Sequence, residues 1–362
     1  MWVRCVVVVV LVGVCWRGAA GEQVEERVQE DDPVGCGPAL TFLVERGVAE
    51  KTHLERLPGG DAGKGPGSEV CGGGACCLPE VTEALLAEGK RSLSQVVSDT
   101  AGNMMGVLTT QRQAFNSAVE SALSSSERRA VRVLETRYPR VAGAAQPVLR
   151  QLYAGLRAGL TQADERPLKR SLAAFWDDLF PPVYHSVLHT LPLPFTERYS
   201  QCLREARRTV RPWGPIPTLV GEPLLRGLHS ARLLLHALDM GAFVLHSARS
   251  LPIGPECSEA AARMELCGAC HGSMLPPCHG LCLNVARGCL APLAEVDGAW
   301  ADLAGAVTRV QESLQVVRLA HLLHQLPDKV SEAIMLAMEH GPRILKKVGD
   351  EWRLGREEEG AW

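Results

Sequence analysis

The chain has 362 residues, 46% of them hydrophobic and 22% charged, and a formal net charge of −3. That apolar content can fill one large core or two smaller ones, which excludes a disordered chain. The near-neutral balance excludes a global basic field for nucleic acid and an acidic solvating tail.

Arg4 precedes an apolar run from Val6 to Cys15, which meets the small residues Gly18, Ala19, Ala20 and Gly21. This is signal-peptide anatomy over residues 1–21, and the run is well short of the ~20 apolar residues that span a bilayer. No later segment reaches that length, so the mature chain is expected to be secreted. Export places the cysteines in an oxidising compartment, where disulfides are the default. Cys5 and Cys15 leave with the signal peptide, and thirteen less two leaves eleven. They are Cys36, Cys71, Cys76, Cys77, Cys202, Cys257, Cys267, Cys270, Cys278, Cys282 and Cys289. An odd number leaves a free thiol, an intermolecular bond, or partners beyond the end of this sequence, and the last is the reading adopted.

Residues 22–35 form an acidic leader. The Gly-rich stretch Gly59 to Gly74 then reads as an exposed loop tied down by flanking cysteines. From Glu80 onward Leu86, Leu93, Val97, Met104, Leu108, Phe115 and Val119 are spaced alternately seven and four, one face of a long helix. An eleven-residue repeat of ~3.67 residues per turn is nearly straight, so an elongated molecule is expected. Gly102 and Gly106 inside this helix each cost ~1 kcal/mol against Ala, which predicts a kink or close packing there. Further helices are predicted over Arg128 to Gln162, broken near Pro139 and Pro147, and over Pro167 to Val187, Thr196 to Arg211 and Glu222 to Ser250. Trp300, Leu303, Val307, Val310, Leu314 and Val317 step by three and four, and Pro327 then opens a helix with Val330, Ile334 and Met338 inward. No sustained period-two alternation appears, so the fold class is all-α, elongated, with a disulfide-stapled N-terminal cysteine-rich lobe.

Several chemistries compete for these residues. Cys267, Cys270, Cys278 and Cys282, with His271 and His279 nearby, could supply a tetrahedral zinc set, and Cys267-x-x-Cys270 a redox pair. Behind a signal peptide, disulfides are the better reading. Gly59 to Gly65 lacks the spacing and the hydroxyl residue after Lys64 of a phosphate loop. His185 with His189, and His321 with His324, could share helical faces but lack a metalloprotease acid between them. Arg128, Arg129, Arg132, Arg137 and Arg140, and Arg204, Arg207, Arg208 and Arg211, read as solvated helix faces more readily than as sites for sulfated glycans. Arg353 to Arg356 fits a minimal convertase site. No catalytic constellation stands out, so no enzyme activity and no cofactor are expected.

Two cysteine clusters lie about 200 residues apart. The first, Cys71-Gly-Gly-Gly-Ala-Cys76-Cys77-Leu-Pro-Glu80, leads into the long helix. The second runs from Cys257 through Cys267-Gly-Ala-Cys270-His271 and Pro277-Cys278-His-Gly-Leu-Cys282 to Arg287-Gly-Cys289-Leu-Ala291. With Phe175-Trp-Asp-Asp-Leu-Phe180, Tyr199-x-x-Cys202 and Ser331-Glu-Ala-Ile-Met335, this pattern resembles the glypican family over roughly Cys36 to Val348.

The resemblance implies a glypican-type helical core over 36–348 and a divergent tail over 349–362. It implies bridges Cys36 to Cys76, Cys71 to Cys267, Cys77 to Cys270 and Cys257 to Cys289. Cys202, Cys278 and Cys282 would then pair with cysteines beyond this chain. The implied function is a cell-surface heparan sulfate proteoglycan core with a lipid anchor, regulating growth factors and morphogens such as Wnt, Hedgehog, bone morphogenetic protein and fibroblast growth factor. The sequence holds no Ser-Gly dipeptide for glycan attachment and no lipid-anchor signal at its end, so a soluble ligand decoy is the alternative. A secreted metal or thiol enzyme using Cys267 to Cys289 is the alternative of another class.

Overall fold

The computed structural model describes residues 36–50, 69–74, 76–188 and 196–349. In chain order its helices are α1 (Gly37–Glu45), α2 (Thr82–Arg137), α3 (Pro139–Ala158), α4 (Arg166–Leu188), α5 (Glu197–Val210) and α6 (Ile216–Ala248). They continue with α7 (Pro255–Glu265), α8 (Cys267–Cys270), α9 (His279–Cys289), α10 (Ala291–Ala294), α11 (Asp297–Val317) and α12 (Leu319–Glu339). Single 3₁₀ turns stand at Glu69–Cys71 and Pro79–Val81, and residues 341–349 are helical as well. The fold is all-α, with no strand among the described residues. None of the described helices is long and apolar enough to cross a membrane. The expected signal peptide, acidic leader, Gly59–Gly65 loop, His189 and Arg353 to Arg356 lie outside the described residues.

The described chain forms two compact units, one drawn from residues 1–110 and 239–305, the other from 111–238 and 306–362. The first has two apolar clusters. One joins Ala39, Leu43, Val81 and Leu85 to Leu266 and Cys270, and the other joins Leu93, Val96 and Val97 to Ala261, Met264 and Leu290. Of the stripe predicted on α2, Leu93, Val97 and Val119 are buried and Leu86, Met104, Leu108 and Phe115 only half-buried, while Leu85 and Val96 carry burial that the seven-four count missed.

The helix runs unbroken through Gly102 and Gly106, and the close packing expected there is not found. A Cβ at Gly106 would meet nothing, and one at Gly102 only Arg249 at 3.7 Å. The close approach is instead at Gly89, where a Cβ would fall 2.5 Å from the Ser258 carbonyl oxygen and 2.6 Å from the Ala262 nitrogen of α7. Backbone crosses backbone at this point, and only a residue without a side chain fits.

The second unit has one large core. α3 turns Val141, Ala145, Leu149, Leu152 and Leu156 inward, and α4 adds Phe175, Trp176, Leu179, Phe180 and Val183. α12 closes it with Leu323, Leu326, Val330, Ile334 and Ala337. Trp213 donates its indole N–H to the Trp176 carbonyl at 3.0 Å, which satisfies a fully buried polar group. Pro139 does open a helix, but Pro147 sits inside α3 and Pro327 inside α12 instead of starting it. An interior proline costs roughly 3 kcal/mol. Each buried side chain of the flanking stripe returns about 1.5 to 3 kcal/mol, so packing overrides the break. The predicted inward face of α11 is only half covered, with no residue of that helix buried.

Candidate functional site

The cysteine-rich unit starts from a turn that glycine alone permits. Gly72, Gly73 and Gly74 have φ of +67°, +105° and +118°, a region closed to most side chains. A Cβ on Gly74 would lie 2.7 Å from the Cys270 carbonyl oxygen, and the Cys76 amide donates to that same oxygen at 3.1 Å. Cys267 and Cys270 stand three apart in the single turn of α8, so both sulfurs face one segment. Cys71 is bonded to Cys267 and Cys77 to Cys270, with Cα–Cα distances of 5.2 and 4.9 Å. Cys36 is bonded to Cys76 at 5.2 Å and Cys257 to Cys289 at 5.5 Å. Arg263 Nε donates to the Val70 carbonyl at 2.9 Å and His271 Nε2 lies 3.1 Å from the Cys71 carbonyl, so the turn is also held by side chains of the second cluster.

These bonds decide among the competing chemistries. Cys267 and Cys270 are joined to other residues and not to each other, so they are neither a zinc thiolate pair nor a two-cysteine redox couple. Among the described residues no group of three or more His, Cys, Asp or Glu could hold a metal ion. Cys278 is an exposed free thiol, and Cys202 is half-buried beside Tyr199 on α5. Cys282 is buried and disulfide-bonded.

Among the described residues of this unit, two cavities are roomy enough to take a ligand group. The first, about 520 Å³, has polar walls from Arg46 at the C-terminal cap of α1, Glu88 and Ser92 of α2 and Glu265 of α7, and an apolar rim that includes Phe42, Met274 and Leu275. Ser92 Oγ donates to Glu265 Oε2 at 2.7 Å, and Arg91 Nε to Glu88 Oε2 at 2.6 Å. The Arg46 guanidinium lies 4.9 Å over the Phe42 ring and 3.5 Å from Glu265 Oε2. Burial holds the Glu265 carboxyl above the ordinary carboxylate range; Ser92 and Arg46 pull it back down, and neighbouring Glu88 adds to the rise.

The second cavity, about 420 Å³, is almost wholly apolar. Val97 and Ala101 of α2, Phe243 and Leu245 of α6, Leu290 and Trp300 are among its walls. Phe243 is 65% exposed, an unusual place for an aromatic ring.

The arginine runs lie in the other unit, and Arg129, Arg204 and Arg207 of them are ion-paired. Arg129 forms a two-pronged bridge to Asp328 at 3.1 and 2.8 Å, Arg204 bonds Asp178 and Glu197, and Arg207 bonds Asp177. The partners are Asp328 of α12, Asp177 and Asp178 of α4 and Glu197 of α5 itself. Asp177 and Asp178 belong to the aromatic motif, whose Phe175, Trp176, Leu179 and Phe180 are buried, so one short segment supplies both core and ion pairs. His324 Nε2 lies 3.0 Å from Arg129 Nη1, an arrangement that suits a surface contact better than a metal site. The cavity residues Arg46, Glu88, Glu265 and Phe243 were missed at the sequence level. The one available signal was Phe243, an aromatic residue on the polar side of α6.

A helical body whose N-terminal cysteines are covalently joined to a cluster some 195 residues away defines a disulfide-stapled core suited to an oxidising compartment. The glypican family profile matches residues 49–352. Human glypican-5 is 27% identical over 288 residues, covering 78% of this chain and 50% of that protein. The crystal structure of the full-length glypican-1 core protein is 25% identical with a TM-score of 0.75, covering 86% of this chain and 72% of that one. The structure of Dally-like protein in complex with O-palmitoleoyl serine is 22% identical, with a TM-score of 0.63, and covers 86% of this chain and 73% of that one. The chain belongs to the glypican family. It spans about half the length of the curated relatives it matches.

Proposed function

We propose that this chain is the core-protein portion of a cell-surface or extracellular heparan sulfate proteoglycan that regulates growth factors and morphogens. It works by binding and not by catalysis. In the family form, heparan sulfate would concentrate ligands such as Wnt, Hedgehog, bone morphogenetic protein and fibroblast growth factor by charge, and a lipid anchor would keep them at the membrane. The protein part would contribute its own contacts through the cysteine-rich unit.

The observation that supports a direct contact is the apolar cleft beside Phe243 and Trp300. Each methylene buried there contributes about 0.8 kcal/mol, so an acyl chain is the ligand class that gains most from it. The Dally-like complex with O-palmitoleoyl serine supports the same reading. The test is titration of the secreted chain with O-palmitoleoyl serine, followed by tryptophan fluorescence. Saturable binding is expected, with serine alone giving none. Phe243→Asp, at an exposed position, should weaken binding about tenfold or more through the loss of apolar contact and a buried charge. Equal binding by that variant, or no binding by the parent, would refute the reading.

A further inference from the structure

We propose that the polar cavity of the cysteine-rich unit receives a single basic side chain, a lysine ammonium on its apolar stem, from a protein partner. The inference is independent of the acyl cleft, because the two cavities share no lining residue.

The lining includes two acids, buried Glu88 from α2 and half-buried Glu265 from α7. Their resident cations are unequal. Arg91 binds Glu88 Oε2 through both Nε and Nη2, so that carboxylate is well held. Arg46 is the one arginine that lines the cavity, and it stands 3.5 Å from Glu265 and 3.9 Å from Glu88. Both distances exceed the 2.7–3.2 Å of a good N–H···O bond. The guanidinium is half-exposed and rests on Phe42. Glu265 is a half-buried acid that accepts the Ser92 hydroxyl at 2.7 Å but has only a long ion pair to Arg46, so it retains acceptor capacity for a further cation, in keeping with its raised affinity for a proton.

A proton is one way to relieve such a group, and a fresh cation is the other. An ammonium is compact and carries three donors, enough to reach both acids without displacing Arg91. The rim suits its stem. Met274 and Leu275 are exposed apolar residues, Leu275 by 78%, and with Phe42 they offer the surface along which a lysine's methylenes pack. An anion would meet two carboxylates, one buried and one half-buried, and a neutral apolar group would strip water from them, so neither fits this lining.

The probe is Nα-acetyl-lysine N-methylamide, titrated into the whole disulfide-bonded chain labelled with ¹³C at its methionine methyls. Met264 and Met274 line the cavity and report on it. Their resonances should shift and saturate, and the Nε-acetylated probe, which has no charge, should leave them in place. Glu265→Gln should weaken binding about fivefold or more, because it removes a charge-assisted acceptor. Arg46→Met should tighten binding about threefold, because it removes the competing cation. The opposite signs separate a binding role from a structural one, and Arg46→Met, at a half-exposed position, carries the test alone should Glu265→Gln fail to fold. No saturable shift, equal shifts from the acetylated probe, or affinity unchanged in Arg46→Met would overturn the proposal.

Discussion

Gly89→Ala tests the packing that sets both cavities in place. On helix propensity alone, alanine should stabilise the interior of α2 by about 1 kcal/mol. The structure reverses that sign. The new Cβ would lie 2.5 Å from the Ser258 oxygen and 2.6 Å from the Ala262 nitrogen, where ordinary contact is 3.4–4 Å. Both atoms are backbone of α7, so no side chain can swing away and the helix itself must retreat by nearly 1 Å. Overpacking of this kind costs about 1 to 3 kcal/mol, and against a backbone the upper half of that range applies. After the propensity gain is subtracted, a net loss of about 1 to 2 kcal/mol remains, or a melting temperature lower by roughly 3 to 6 °C. Gly106→Ala is the internal control. It sits in the same helix with nothing within 4 Å of its Cβ and should gain about 0.5 to 1 kcal/mol. Near-UV circular dichroism of both variants, melted with disulfides intact, reads the difference. A Gly89→Ala protein melting at or above the parent would refute the account of the helix crossing.

Three further outcomes follow from the geometry. Cys71–Cys267 and Cys77–Cys270 span 196 and 193 residues, so either alone should contribute about 5 kcal/mol. With one formed, the other closes a ring of only about ten residues and adds about 3 kcal/mol, so denaturant titrations of Cys77→Ser/Cys270→Ser should show the smaller loss and removal of both bridges about 8 kcal/mol. Tyr153, buried with its hydroxyl 2.6 Å from Ser126 Oγ, should cost about 1 to 2 kcal/mol as Tyr153→Phe, measured by urea denaturation. Glu265 is held above its ordinary value of 4.5 by burial. The folded state therefore binds this proton more tightly than the unfolded one, and its term increases stability as pH falls through the folded value toward 4.5. The melting temperature of Glu265→Gln relative to the parent should accordingly decline between neutral and mildly acidic pH.

The fold was legible where local signals and packing agree. The long helix α2, the start of α3 at Pro139 and the start of α5 at Thr196, whose hydroxyl accepts the Tyr199 amide at 3.3 Å, all lie in short windows of sequence. The misreadings at Pro147 and Pro327 share one cause: a proline's cost is local and visible, while the burial that outweighs it comes from helices distant in sequence. Gly89 escaped for the same reason, because nothing near it announces that α7 will cross there. The cysteine pairing is a different case. Spacing left many connectivities open, and the pairing came from the likeness to glypicans. The cavities were illegible, since Phe42 and Arg46, Glu88 and Ser92, and Met264 and Glu265 belong to segments separated by up to about 220 residues.

The staples and the cavities are linked through α7. Cys257 ties the first turn of this helix to the end of α9, and Cys267, two residues beyond its last turn, ties it to Cys71. Between those anchors Gly89 admits the helix against α2, and Ser92 holds Glu265. A wall fixed covalently at both ends and sterically in the middle has little freedom to relax around a charge. Glu265 is therefore kept half-buried, neither swinging out to solvent nor drawing Arg46 into full contact. The Cys257–Cys289 bond also positions Leu290, the next residue, in the wall of the apolar cleft. Both binding surfaces thus depend on one helix that the disulfides hold in place, and an under-satisfied acid and an open apolar cleft persist because that framework does not yield.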